Sequence, residues 1–144
     1  MRTILINAAL ATCLLLTIQA SAQHKNKAYQ NWTIDKCVNQ FSMDDTVKTK
    51  VGYQYWFANK DYIDGRTLKL SVVAPHSATH PPHKHIEDEF FFILEGTARL
   101  YLDGDSVTAS PYASFYCPSG IEHGIRNIGG TELKYLVIKK YLKN

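Results

Sequence analysis

HKHIEDEFFFILEGTARLYLDG, residues 83 to 104, carries two histidines, a carboxylate, an apolar run, a glycine turn and a second apolar run. His83 and His85 flank Lys84. In an extended chain side chains alternate between faces, so both imidazoles leave the same side and Lys84 the other. Glu89 follows His85 at an even spacing and returns to that side if residues 86–88 keep the register. Beyond it, Phe91 and Ile93 share the carboxylate's parity and are expected inside a barrel. Phe90 and Phe92 are expected to pack on the other side, against a second sheet or subunit. Asp103-Gly104 then closes the run with a dipeptide favoured in type I′ hairpins.

The texture of this stretch continues in both directions. From Val51 on, short runs rich in Val, Ile, Tyr, Phe and Thr are broken by Gly, Pro, Asn and Asp, as in strands and turns. Strands are predicted over 52–58, 67–74, 89–94, 98–102, 106–108, 113–117, 124–127 and 133–141, with a second hairpin dipeptide at Asp64-Gly65. A chain of 144 residues is about one domain long, and no repeat or linker divides it. The fold class is therefore all-β, a sandwich or barrel. Residues 23–50 are polar and mixed and read as a short helix or N-terminal arm, leaving 51–144 as the β domain.

The parity argument places His83, His85 and Glu89 on one face, and His123, from elsewhere in the chain, is the further candidate. Three neutral imidazoles and a carboxylate suit one divalent transition metal (iron, manganese, nickel, zinc or copper) rather than the oxygen-seeking calcium or magnesium. Four protein donors would leave a position open for water or substrate. His24, His76 and His80 read as surface histidines, although His80 leads into the site and could rim its mouth. Glu87 and Asp88 read as solvated, and Arg126 as facing solvent.

At this point the residues resemble the cupin family, whose two motifs stand here in order. The first is His83-Lys84-His85, Glu89 and Gly96; the second is Pro118-Ser119-Gly120, His123 and Asn127. The resemblance covers residues from about 50 to 141. It implies a double-stranded β-helix, or jelly-roll barrel, and one metal held by His83, His85, Glu89 and His123. It also implies frequent homodimers, and a phenol, Tyr116, near the metal where it could orient a substrate or donate a proton. Asn127 reads as tying down backbone rather than touching metal. Two positions depart from the pattern: Ser77 replaces a usual glycine, and Tyr112-Ala113 a usual Gly-Asp, which changes turns rather than ligands. Ser110-Pro111 suggests that a different turn is made there.

The N-terminus adds a location. Arg2, the apolar stretch from Ile4 to Ile18 and the small-x-small run Ala20-Ser21-Ala22 read as a signal peptide over residues 1–22. Export to the periplasm or medium is expected, with no membrane attachment after cleavage. A net charge of +3, with basic residues interspersed among acids apart from Lys139-Lys140 and Lys143, lacks the footprint of a nucleic-acid binder. Cys37 and Cys117 permit a disulfide in an oxidising compartment, or else remain separate thiols. The leading functional expectation is a metal-dependent enzyme acting on a small oxygenated molecule such as a sugar or sugar acid, with isomerase chemistry through a metal-stabilised enediolate. The alternatives are an iron- or copper-dependent dioxygenase and a non-catalytic small-molecule or metal-binding protein.

Overall fold

The computed structural model describes residues 32–62 and 64–142. The signal peptide read at 1–22 and His24 lie outside the described residues. The chain forms two units, one up to Val38 and one from Asn39. In the first, α1 (Ile34–Cys37) is a single helical turn with no buried residue.

The second unit holds nine strands: β1 (Val47–Thr49), β2 (Gly52–Ala58), β3 (Arg66–Val73), β4 (Glu89–Glu95), β5 (Ala98–Leu102), β6 (Asp105–Ala109), β7 (Ser114–Cys117), β8 (His123–Asn127) and β9 (Leu133–Lys140). They form a six-stranded sheet in the order β1-β2-β3-β9-β4-β7 and a three-stranded sheet in the order β6-β5-β8. Every pairing is antiparallel, giving the all-β jelly roll. Eight strands fall where the apolar runs placed them, with ends shifted by a residue at most. The ninth, β1, has one apolar residue among three and gave no signal. Residues 39–46 also serve this unit, because the Tyr55 hydroxyl reaches Asn39 Oδ1 at 2.6 Å and the Gln40 carbonyl at 2.8 Å.

Alternation on β4 is as expected. Glu89, Phe91 and Ile93 are buried, whereas Phe90 is 46% exposed. Phe91 and Ile93 join Val73, Leu100, Leu133, Tyr135 and Val137 in the core. Burying such side chains contributes about 1.5–3 kcal/mol each, the term that drives the two sheets together. The strand β9 lies centrally, pairing with β3 on one side and β4 on the other.

The turns divide into expected and corrected ones. Asp103 and Gly104 both take positive φ, 47° and 95°, as a type I′ hairpin requires. Asp64-Gly65 makes no two-residue hairpin, because β2 ends at Ala58 and β3 begins only at Arg66. Tyr112 occupies φ 70°, so the turn keeps the left-handed residue that the family usually supplies with glycine. Pro111 does not replace that conformation. Left-handed φ brings Cβ against the following carbonyl and costs about 1–2 kcal/mol for a non-glycine residue.

Asn127 is fully buried. Its side-chain amide donates to the carbonyls of Val73, Ala74 and Thr131 at 3.0, 3.0 and 2.7 Å, and its Oδ1 accepts from Gly129 N–H at 2.9 Å. One side chain thus ties the end of β8 to the end of β3 and to the turn before β9. Cys37 and Cys117 are free thiols, the first exposed and the second buried.

Asn127→Ala strips partners from several buried backbone groups and should lower stability by about 2–4 kcal/mol. The measurement is a shift of the urea midpoint with an unchanged slope. Tyr112→Gly should raise the same midpoint, reflecting about 0.5–1 kcal/mol of added stability once glycine's greater unfolded-chain entropy is set against the relieved strain.

Candidate metal centre

His83 and His85 lie on the segment that leads into β4, not on a full strand as the spacing argument assumed. What holds them extended is a bridge to β8. His83 N–H donates to the His123 carbonyl and His123 N–H to the His83 carbonyl, both at 2.9 Å. Residues directly opposite in such a pair project side chains to the same face. Gly120 N–H adds a bond to the His85 carbonyl at 2.8 Å. The turn of the second motif is thereby tied to the histidines of the first. Gly124, next to His123, lets the backbone of Pro82 come close: a Cβ there would sit 3.3 Å from Pro82 Cα.

The rings converge. Imidazole centroids lie 5.5 Å apart for His83 and His85, 5.2 Å for His83 and His123, and 4.8 Å for His85 and His123. Each ring turns Nδ1 to a backbone carbonyl two residues away: His83 to Pro81 at 3.2 Å, His85 to Glu87 at 2.6 Å and His123 to Ile121 at 2.8 Å. A carbonyl only accepts, so Nδ1 carries the proton of the neutral ring and Nε2 presents a lone pair. The three rings offer ligand nitrogens within 4.8 Å of one another.

Glu89 Oε1 stands 3.0 Å from His123 Nε2 and 3.5 Å from His85 Nε2. With the ring protons on Nδ1, these are lone pairs facing lone pairs, an arrangement that a bound metal ion, or a second ring proton on Nε2, makes favourable. Donors about 2.1 Å from one ion lie about 3.0 Å apart at a right angle and about 3.4 Å apart at the tetrahedral angle. The separations fit a common ion. His85 Nε2, moreover, is buried without a hydrogen-bond partner. Burial, the largest influence, pushes the His83 pKa down, and the neighbouring His123 and His85 add to it, so its ring stays neutral and available. Cys117 lies within the same distance range of Glu89 and His123. Burial and then the Glu89 charge push its thiol up to about 12, which leaves it protonated when no metal ion is bound.

The structure thus brings His83, His85, Glu89 and His123 together and leaves Tyr116 out. Across β4 and β7 it is Cys117 that pairs with Glu89, while Tyr116 pairs with Phe90 on the outer face. Tyr116 is 46% exposed, packs on Phe90 and donates to Asp88 Oδ2 at 3.2 Å. Of the phenols that line the cavity, Tyr53, Tyr135 and Tyr141, the buried one is Tyr135, on β9 beside Phe91. Its inward parity on β9 was the available signal. Glu87 is likewise not solvated. Its carboxylate sits 3.4 Å from Lys139 Nζ and 3.7 Å from His85 Nδ1, so it supports a ligand ring from behind. His80 does rim the site, its ring 5.8 Å from that of His83.

His83, His85 and Glu89 line a cavity of about 190 Å³. Its wall includes Gln54, Lys69, Ser71, Thr79 and Tyr135. Burial pushes the Tyr135 pKa up, against hydrogen bonds with Ser71 and Thr79 that pull it down.

With the barrel and the histidine cluster in place, similarity to known proteins has a physical meaning. The Cupin domain family matches residues 69–139, which contain both motifs. A solved structure from Thermotoga maritima, described as a predicted oxalate decarboxylase, is 26% identical, covering 62% of this chain and 80% of that one with a TM-score of 0.58. A polyketide cyclase from Streptomyces resistomycificus is 22% identical over 72% of this chain and 79% of its own, with a TM-score of 0.60. A Cupin 2 conserved barrel domain protein from Salinispora arenicola is 17% identical over 77% and 91%, with a TM-score of 0.62. No protein of curated function matches by sequence. The chain belongs to the cupin superfamily.

The donor geometry makes a direct prediction. Untagged protein should carry about one transition-metal ion per chain by elemental analysis, and His85→Ala should weaken binding by more than about 100-fold, the upper range for merely supporting residues. Equal and negligible metal in both proteins would show that the cluster is not a metal centre.

Proposed function

We propose that the protein is an exported, metal-dependent cupin enzyme acting on a small oxygenated molecule, such as a sugar or sugar acid, by isomerase-type chemistry. The observation that carries this reading is the shared cavity. Three of the four donors, His83, His85 and Glu89, line it together with the hydrogen-bonding side chains of Gln54, Ser71, Thr79 and Tyr135, and the fourth, the fully buried His123, stands 3.0 Å from Glu89. Its volume, about 190 Å³, lies below the roughly 300–1,000 Å³ of sites for drug-sized ligands, and suits a small molecule.

A divalent ion held by the four donors would supply Lewis-acid polarisation of a carbonyl or hydroxyl oxygen. The rest falls to the chain's own residues. Gln54 and Ser71 supply donors and acceptors for ligand hydroxyls. Tyr135, kept protonated by its burial, holds a proton inside the barrel and can donate a hydrogen bond. Phe91 and Val137 exclude water from the same wall. The signal peptide read at residues 1–22 supports action in the periplasm or outside the cell.

One feature favours a second reading. Among the described residues that line the cavity, Glu89 alone is a carboxylate, and as a metal ligand it is not free to act as a base. A non-catalytic protein that binds the same class of ligand would need no such base.

Metal-loaded protein incubated with a panel of sugars and sugar acids should yield isomers by NMR without consuming oxygen, and His85→Ala should abolish turnover. Binding without turnover in any panel member would establish the second reading. Oxygen uptake by the iron- or copper-loaded protein would instead identify a dioxygenase.

A further inference from the structure

We propose that Lys69 is the anion-recognition group of the barrel cavity, and that the ligand it selects carries a carboxylate. The inference rests on the small-molecule site proposed above and names the class of molecule it takes.

Lys69 lies on β3 with the parity of the buried Thr67, Ser71 and Val73, and pairs with Trp56 on β2 and Val137 on β9. Its side chain lines the same cavity as His83, His85 and Glu89. The ammonium rests over the Trp56 ring, 5.0 Å from its centroid, a position that holds the charge without neutralising it.

The interior carboxylates are engaged elsewhere. Glu87 is 3.4 Å from Lys139 and backs His85. Glu89 faces His85 and His123. Among the described residues, no carboxylate lies within ion-pair distance of Lys69. The other interior lysine, Lys139, has Glu87 and also the Tyr141 ring, 4.9 Å away. Lys69 is therefore the unmatched cation of the cavity wall.

Taking a cation partly out of water without a partner is costly. Burial pushes the Lys69 pKa down, and Glu89 offsets only part of that. A divalent ion on three neutral imidazoles and one carboxylate would leave the donor cluster with a further net positive charge. A neutral polyol would leave both charges unmet. A ligand carboxylate would meet Lys69 in a water-poor site, where charge-assisted hydrogen bonds are strongest.

The test is calorimetric binding of galacturonate against galactose and of glycerate against glycerol, to the full chain with and without metal. The acid of at least one pair should bind at least about tenfold more tightly than its neutral partner. Lys69→Met, which keeps the stem against Trp56, should remove that preference at unchanged metal content. Lys69→Arg should restore part of it, which a purely structural role would not produce. If Lys69→Met fails to fold, Lys69→Gln and a fall of acid binding with added salt give the same reading. Equal binding of acid and neutral partners, binding of none of the four probes, or acid preference unchanged in the lysine variants would overturn the proposal. A protein that takes up no metal and still prefers acids would refute the metal centre and leave the Lys69 assignment standing.

Discussion

The two backbone hydrogen bonds exchanged by His83 and His123, both 2.9 Å, are the constraint on which the centre depends. They join a loop to a strand of the three-stranded sheet. They also fix the relative height of two imidazoles that are 40 residues apart by their numbers in the chain. Without that bridge, His83 and His85 would sit on a segment with no strand partner, and their common face would be aimed at nothing in particular. Glu89 enters from the other sheet, as the first residue of β4. The centre is therefore built where the two sheets meet, and three backbone elements must be in place before any ligand ring is.

The same economy governs the charges. Each ring gives its Nδ1 proton to a main-chain carbonyl, so that orientation and tautomer come from the backbone and do not use up side chains. An interior lysine–carboxylate pair, Glu87 with Lys139, stands behind His85 and balances itself. What remains facing the cavity is a carboxylate opposed to imidazole lone pairs and a lysine opposed to a tryptophan ring. Both are incomplete electrostatically, and both open on the same space. A cavity wall with two such unmet demands has the character of a binding site rather than of a packed core, in which polar groups are satisfied from within.

Stability and function meet at Asn127 and Tyr112. Asn127 gathers the ends of β3, β8 and the turn before β9, and β8 carries His123. Tyr112 keeps a left-handed turn between β6 and β7 at a steric cost. Its hydrogen bond to the Ile93 carbonyl, 2.8 Å from the amide nitrogen, shows why the conformation is retained: it closes the connection onto β4.

Most of the strands, the face of Glu89, Phe91 and Ile93, and the choice of His83, His85, Glu89 and His123 as candidate donors were legible in the sequence alone. Strand alternation is a local rule, and a residue's parity follows from covalent geometry. The sequence also contained the inward parity of Lys69 and Tyr135, but parity does not say which of several inward residues share a cavity. Only the tertiary structure decided that Tyr116 stands outside with Phe90, because the register of β7 against β4 sets Cys117, not Tyr116, opposite Glu89. It alone decided that Glu87 turns inward to Lys139, since that pair joins a loop to the end of β9. Register, loop path and the balance of buried charge are long-range properties. They are fixed by which backbones hydrogen-bond to one another, and no spacing along a single chain encodes that choice.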